Sequence, residues 1–293
     1  TSILTRKAKG SLVVSGIEHA SVYEPARLIG KSGFEVRYVS AEKSGRISAD
    51  RFAAKIEGDT VMASIMLVNN ETGAIQPVSE IAERLRGIAR TKGRKIHIHC
   101  DAVQGFGKLP VDVVSMDIDS LSTSGHKIGA PRGIGLLYLR RQLEPVYRGG
   151  GQEGALRPGT ENLFAIDAFA GATRAWASQR LKWHSDSSHL RTLLLDKISR
   201  IPGARFLDSD SPSSGSEYSP YIMMASFPPI PGEILVRVMS DRGFAISTGS
   251  ACSSRGKKNL RVLDQMGIDR DFANSAIRVS TGSGTTEAEC ASF

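Results

Sequence analysis

The sequence predicts an α/β fold, with a mostly parallel sheet flanked by helices, followed by a smaller C-terminal α+β domain. Short β-rich runs alternate with helical patterns from Ser11 to about Arg140. After Gly159 the pattern changes to long helical segments and then to mixed short elements. Alternating strands and helices form parallel sheets that are covered on both faces. We therefore expect a large domain at residues 1–182 and a small domain at residues 183–293.

Six runs in the first half are typical of strands; in order they are SLVVSG, FEVRYVS, TVMASIMLV, KIHIHC, IDSLSTS and GIGLLYL. Between them, ISADRFAAKIEG and PVSEIAERLRGIARTKG place apolar residues at helical spacing. The second helical pattern begins with Pro77, Ser79 and Glu80 and stops at Gly93, which are good helix boundary signals. In such sheets, ligands bind beyond the carboxyl ends of the strands.

The second half predicts a different set of elements. ENLFAIDAFAGATRAWASQRLKW is typical of a long helix, SSHLRTLLLDKISRI of a second helix, and DSDSPSSGSEYS of a polar loop. We then expect a strand at YIMMASF, a helix at GEILVRVMSDRG and a strand at FAIS. A small-residue loop around Cys252, a further helix and a last strand at AIRVS complete the small domain.

The composition is that of an ordinary globular protein, with 40% hydrophobic and 23% charged residues in 293. No apolar run approaches the roughly eighteen residues of a membrane span, and nothing resembles a secretory signal. We therefore expect a cytoplasmic protein that binds no membrane. The formal net charge is +8, but the basic residues are dispersed and few aromatics lie among them. This pattern argues against a nucleic-acid partner.

The three cysteines are Cys100, Cys252 and Cys290, and they form neither a disulfide framework nor a Cys-x-x-Cys zinc motif. We expect reduced thiols and no metal. Cys252 lies among serines and glycines, and the basic residues of SSRGKK follow it, so that nearby positive charge favours the reactive thiolate. Cys100 lies in a strand pattern and Cys290 in a terminal helix pattern, which indicates structural roles.

Polar residues follow four of the predicted strands. They are His19 in SGIEHASV, Asn70 in LVNNETG, Asp101 and Gln104 in HCDAVQG, and Ser124, His126 and Lys127 in STSGHK. Because the carboxyl ends of parallel strands meet at one edge of a sheet, these residues indicate a single site.

This residue set indicates pyridoxal phosphate as the cofactor. A lysine whose charged form is disfavoured serves as a nucleophile or base, and an aspartate keeps a heterocyclic nitrogen protonated. A tight Ser-Gly turn holds a phosphate. Lysine, aspartate and phosphate pocket together are typical of a pyridoxal phosphate site. The sequence has no G-x-G-x-x-G between a strand and a helix and no G-x-x-x-x-G-K-[ST], which excludes the common nucleotide motifs.

With these residues assembled, the chain resembles the class V, fold-type I pyridoxal-phosphate enzymes, and within them the NifS/IscS-like cysteine desulfurases. Seven ordered blocks carry the resemblance: SGIEHASV, VNNETGAIQPV, HCDAVQGFGK, STSGHK, GGGQEGALRPGTEN, STGSACSS and SAIRVSTG. The resemblance covers almost the whole chain. It implies a fold-type I homodimer that converts L-cysteine to L-alanine and transfers the sulfur as a persulfide.

The resemblance also implies roles at the cofactor. Lys127 would anchor the cofactor covalently, and His19 would stack on its ring and help to move protons. Asp101 would pair with the pyridine nitrogen. Gln104 and Asn70 would lie near the phenolic oxygen, and Asn70 would also reach the substrate carboxylate.

Further implied roles concern the phosphate and the substrate. Ser124 and His126 would hold the phosphate, and Thr160 of RPGTEN would reach the phosphate of the partner subunit. Arg278 of SAIRVS would bind the substrate carboxylate, a task that suits a planar bidentate guanidinium. Cys252 would accept the sulfur and pass it to an acceptor protein, such as an iron–sulfur scaffold or a thiolation protein.

The resemblance does not extend to one family feature that precedes the region of His19. Family members carry a Gly/Ala-Thr-Glu-x-Asn-Asn loop that caps the cofactor phosphate before the region of His19, and no such segment is present. We therefore expect a partial sequence that lacks its N-terminal segment. A selenocysteine lyase, another class V aminotransferase-fold enzyme and a catalytically impaired, truncated relative acting as a scaffold remain open as alternatives. A transaminase has no use for a reactive cysteine at position 252.

Overall fold

The computed structural model describes residues 10–145, 147–207, 217–249 and 260–293. These residues form two compact units. The first unit comprises the described part of Thr1–Val39, Ile47–Leu67 and Pro77–Ser178, and the second comprises Ser40–Arg46, Val68–Gln76 and the described part of Gln179–Phe293. The division after Ser178 lies in the same helix as the predicted boundary at 182/183, which stays a prediction. Two short segments of the first half belong to the second unit.

A six-stranded sheet forms the centre of the first unit. Its strands are β1 (Ser11–Ser15), β2 (Glu35–Val39), β3 (Thr60–Met66), β4 (His97–Asp101), β5 (Ser120–Ser124) and β6 (Gly135–Leu139). Their order in space is β2-β1-β3-β4-β5-β6. Strands β1 to β5 pair in parallel, and β6 runs antiparallel to β5. All six predicted strands are present, and the mostly parallel sheet is confirmed.

The first unit contains the helices α1 (Ala20–Lys31), α2 (Ala49–Ala53) and α3 (Val78–Thr91). Helix α3 was predicted, and it buries Ile81 and Leu85 completely. We did not predict α1, because Pro25 lies inside it and proline disfavours a helix interior. Its N-cap is His19, whose side chain accepts a hydrogen bond from the backbone N–H of Ser21.

A single helix, α4, extends over 37 residues from Leu163 to Ser199. The prediction of two successive helices in this region is therefore wrong. The polar stretch between the two patterns, residues 184–186, contains neither glycine nor proline, so the helix continues through it. Ser188 Oγ donates to the His184 carbonyl at 2.7 Å, and Thr192 Oγ1 donates to the Ser188 carbonyl at 3.0 Å.

The second unit contains an antiparallel sheet in the order β7-β8-β9. Its elements are β7 (Arg205–Phe206), β8 (Ile222–Ser226), α5 (Gly232–Asp241), α6 (Arg261–Gln265), α7 (Arg270–Ser275), β9 (Ala276–Ser280) and α8 (Glu287–Ser292). The strands at YIMMASF and AIRVS and the helix at GEILVRVMSDRG were predicted. The predicted strand at FAIS is wrong, since only Ser247 forms a single bridge, with Arg278.

Apolar side chains of β8, β9 and the second part of α4 form the core of the second unit. This cluster includes Leu190, Leu194, Met223, Ile277 and Cys290. Among the described residues, no helix is both long enough and apolar enough to cross a membrane. In the same part of the chain, no group of three or more His, Cys, Asp or Glu side chains is able to hold a metal ion.

Candidate functional site

The order of the sheet brings several predicted site residues to one edge. Strands β1, β3, β4 and β5 are neighbours and run in parallel, so their carboxyl ends lie together. His19 follows β1, Asp101 ends β4 and Ser124 ends β5. Asp101 pairs in register with Ser122 of β5. The segment after β3, which holds Asn70, is part of the second unit.

Asp101 is a buried carboxylate, with 4% of its surface exposed. Its Oδ1 accepts a hydrogen bond from the backbone N–H of Val103 at 2.9 Å. Burial raises the pKa of Asp101, while the Val103 hydrogen bond and the electrostatic influence of His19 oppose that rise. Asp101 and His19 therefore interact electrostatically.

The ring of His19 has a defined tautomer when it is neutral. The backbone N–H of Ser21 donates to Nδ1 at 3.2 Å, and Ser21 Oγ lies 2.8 Å from the same nitrogen. Because a backbone N–H only donates, Nδ1 is an acceptor and the proton of the neutral ring lies on Nε2.

The chain turns sharply after β5 through a 3-10 helix at Gly125–Ile128. Ser124 Oγ lies 2.7 Å from His126 Nδ1, so these two predicted phosphate-binding side chains lie together. Gly125 is required for close packing, since a Cβ there would lie 2.8 Å from Ile134 Cγ2. Lys127 is half-buried on the same turn.

The neighbours of His126 favour its neutral form. Desolvation, followed by the positive charges of Lys127 and Arg132, lowers the pKa of His126. The hydrogen bond between Ser124 Oγ and a neutral His126 uses one of their two protons, so one of the two groups is left to donate to an anion.

Gln104 lies in the turn that follows β4, and only 9% of its surface is exposed. Its Oε1 accepts a hydrogen bond from Lys108 Nζ at 3.2 Å. We did not single out Lys108 from the sequence. The spacing of Gln104 and Lys108, four residues apart in one turn, is the signal that could have identified the pair.

In the second unit, Arg278 and Asn70 are in contact. Arg278 Nη1 donates to the Asn70 carbonyl at 2.9 Å. The Arg278 backbone also exchanges two hydrogen bonds with Ser247, at 2.6 and 3.2 Å. The preceding Asn69 has a different task, because its Oδ1 accepts from the backbone N–H groups of Glu71 and Thr72, both at 2.9 Å, and so fixes the turn.

Glu71 is a candidate residue to which we assigned no role from the sequence. Its carboxyl group faces a pocket that Thr248, Gly249 and Leu263 also line. Burial raises the pKa of Glu71 to about 7, against the opposing charges of Arg261 and Arg278. The sequence motif gave no sign of this environment, since its partners lie far away along the chain.

Glu71→Gln is expected to remove a pH dependence from the stability of the chain. The pKa of Glu71 is about 7 when folded and 4.5 in its ordinary state, so the folded chain binds this proton more tightly. Wild-type stability therefore falls as the pH rises from 4.5 to about 7, by about 3 kcal/mol at most. Urea unfolding at pH 5 and pH 8 measures the effect.

In that experiment, the free energy of unfolding of Glu71→Gln should rise relative to that of wild type between pH 5 and pH 8. Glu233→Gln, at an exposed carboxyl on the same pocket, is the matched control and should follow wild type. Parallel pH profiles for wild type and Glu71→Gln would show that the Glu71 carboxyl is not perturbed by burial.

The remaining predicted site residues lie apart from these groups or outside the described residues. Thr160 is exposed in the loop before α4. Cys252 lies outside the described residues. Cys100 and Cys290 are both buried. Burial raises the pKa of the Cys100 thiol well above its usual range, so this thiol is unreactive.

Comparison with known proteins identifies several relatives. The family model described as "Aminotransferase class-V" matches residues 2–293. The mitochondrial cysteine desulfurase of Candida maltosa is 38% identical over 288 residues, which cover 97% of this chain and 57% of that protein. Cysteine desulfurase IscS of Vibrio campbellii is 38% identical over 287 residues, covering 96% of this chain and 68% of that protein. The chain thus spans 57% of the length of the Candida protein.

Among solved structures, a NifS-like protein matches with a TM-score of 0.87 and 31% sequence identity. The match covers 99% of this chain and 74% of that chain. This similarity confirms the predicted fold class.

Proposed function

The chain belongs to the class-V aminotransferase family and, within it, to the NifS/IscS-like cysteine desulfurases, and we propose that it converts L-cysteine to L-alanine. Members of these families are fold-type I pyridoxal phosphate enzymes. One observation carries the proposal: the turn with Ser124, His126 and Lys127 follows the strand that pairs with Asp101.

The residues present fit pyridoxal phosphate. The buried Asp101 carboxylate would accept a hydrogen bond from the protonated ring nitrogen, and the Lys127 amine would bond covalently to the aldehyde carbon. Ser124 Oγ and His126 Nδ1, 2.7 Å apart, provide a hydroxyl and an imidazole for the phosphate. The Gln104 amide would donate a hydrogen bond to the phenolic oxygen. When bound, the cofactor supplies an electron sink that weakens the Cα–H and Cβ–S bonds of the substrate.

The side chains of the chain itself orient the substrate and move protons. Arg278, held by the Asn70 carbonyl, binds the substrate carboxylate in the proposed reaction, and Asn70 contributes to the same task. The Lys127 amine removes the Cα proton and later returns a proton. His19, with its proton on Nε2, assists these transfers beside the ring.

Cys252 accepts the sulfur in the proposed reaction. Its thiolate attacks the substrate sulfur, so an S–S bond forms while the Cβ–S bond breaks. The electron pair of the broken bond stays on Cβ, which takes up a proton, and alanine leaves. The assignment rests on the STGSACSS block and on the burial of Cys100 and Cys290, which excludes them as acceptors.

We also propose a homodimer in which Thr160 reaches the cofactor phosphate of the partner subunit. The exposed apolar side chains of Leu163 and Phe164, 70% and 92% accessible, support an interface next to Thr160. The persulfide would pass from Cys252 to a sulfur-acceptor protein such as an iron–sulfur scaffold. The cytoplasmic location stays a prediction, since the relatives include a mitochondrial protein.

The proposed activity is tested with purified protein, pyridoxal phosphate, a thiol reductant and L-cysteine. We expect equal amounts of alanine and sulfide. Parallel reactions use selenocysteine, which tests the lyase alternative, and L-alanine with a 2-oxo acid, which tests the aminotransferase alternative. Transamination without sulfide release would refute the desulfurase proposal, and the absence of any turnover would favour the scaffold alternative.

A further inference from the structure

Gln104 and Lys108 form a buried pair whose hydrogen-bond direction is fixed by chemistry. Lys108 Nζ lies 3.2 Å from Gln104 Oε1, and each residue is only 9% exposed. An ammonium group only donates hydrogen bonds, so the oxygen of the Gln104 amide must face Lys108. The amide NH2 group of Gln104, with its two donors, must then face the other way.

The backbone that carries this pair is tightly held. The Phe106 N–H donates to the Ala102 carbonyl at 2.7 Å, and the Lys108 N–H donates to the Gly105 carbonyl at 3.0 Å. A Cβ at Gly105 would lie 2.5 Å from Leu67 Cδ2, so the turn is packed directly against that side chain. The pair therefore rests on a rigid turn.

The same turn packs on the chain beside Lys127. Gly107 has a φ of +77°, and a Cβ there would lie 3.2 Å from Ile128 Cγ2 and 3.3 Å from Trp176 Cβ. Trp176 Nε1 donates to the Ile128 carbonyl at 3.1 Å. Contacts through Ile128 thus join the Gln104 turn to the turn of Lys127.

We propose that Lys108 is a positioning residue that holds the Gln104 amide with its NH2 group toward the phenolic oxygen of pyridoxal phosphate. The inference rests on the proposed function for the identity of the cofactor. The reversed amide would set its carbonyl oxygen against the phenolic oxygen, and two acceptors cannot form a hydrogen bond. Lys108 thereby excludes the unproductive orientation.

The donated hydrogen bond and the nearby cation act in the same direction on the bound cofactor. Both stabilise negative charge on the phenolic oxygen and so favour the deprotonated form of the Lys127-linked chromophore. They therefore lower the midpoint of the pH titration that is followed by the visible absorbance of this chromophore. Without them the midpoint rises, by about one pH unit.

The test measures that midpoint by spectrophotometric titration of cofactor-loaded protein. Lys108→Met keeps the apolar stem but removes the donor, and we expect an upward shift of about one pH unit. Lys108→Arg keeps a donor and should stay near wild type. Lys92→Met removes an exposed charge at the end of α3 and is the matched control, with no shift expected.

A second comparison separates orientation of the amide from the charge of Lys108. In a Gln104→Leu background, Lys108→Met should shift the midpoint much less than it does in wild type, because the amide is already absent. Equal shifts in both backgrounds would mean that Lys108 acts by charge alone and would overturn the proposal. An unshifted midpoint in a folded Lys108→Met protein would do the same. Wild-type protein that takes up no pyridoxal phosphate would overturn this inference together with the proposed function.

Discussion

Lys127→Ala is expected to abolish cysteine desulfuration, with a loss of at least about a thousand-fold in kcat. Alanine has no amine, so the variant lacks the group that we propose as the covalent anchor of the cofactor and as the carrier of the Cα proton. We expect the turn to stay intact, because its buried residues, Gly125 and Ile128, are unchanged in the variant. The variant should therefore unfold at the wild-type temperature.

A second variant, Cys252→Ala, separates the acceptance of sulfur from the binding of the cofactor. It should take up pyridoxal phosphate and show the visible absorbance of wild type, yet release no sulfide. Cys290→Ala is its matched control, since Cys290 is buried in the core of the second unit, and it should retain sulfide release. Sulfide and alanine assays and absorbance spectra on the purified variants provide the measurements. Full sulfur release by Cys252→Ala would rule out the persulfide route.

Gly73→Ala is expected to destabilise the chain by about 3 kcal/mol. Gly73 has a φ of +80°, a left-handed conformation that disfavours a side chain, and a Cβ there would lie 2.6 Å from the Ile222 carbonyl oxygen. The backbone has little freedom to move away. The Gly73 N–H donates to the Asn69 carbonyl at 2.9 Å, and the Gly73 carbonyl accepts from the Ser219 N–H at 2.8 Å.

Gly93→Ala is the matched control for this substitution. Gly93 also has a positive φ, +61°, but its added Cβ would meet no atom within 4 Å. It should therefore lose only the conformational contribution, about 1 kcal/mol. Urea or thermal unfolding of the three proteins measures both values. Similar losses in the two variants would show that the approach to Ile222 contributes nothing.

The sequence predicted the sheet well because its strands are local patterns of apolar, β-branched residues. Helix boundaries were harder to predict where local signals conflict with the fold. Helix α1 contains Pro25, which is unfavourable inside a helix, and in α4 the polar residues 184–186 interrupt the apolar pattern although the helix continues. At FAIS the local pattern favours a strand, yet only Ser247 finds a partner.

The candidate site was predictable in its residue types but not in its contacts. Polar residues after parallel strands identify His19, Asp101 and the turn of Lys127, since each follows a recognisable strand. The hydrogen bond between Arg278 and Asn70 joins residues 208 positions apart, and no local pattern contains it. The pKa of Glu71 is likewise set from outside the local pattern, because burial raises it and the charges of the distant Arg261 and Arg278 oppose that rise.

The paired backbones of Ser247 and Arg278 have a kinetic consequence. Because the two residues exchange both amide hydrogen bonds, one local opening event exposes both amides to solvent. A fluctuation that frees Ser247 therefore also loosens the strand position of Arg278. Arg278, the residue proposed to bind the substrate carboxylate, therefore keeps its backbone position only while Ser247 stays paired with it.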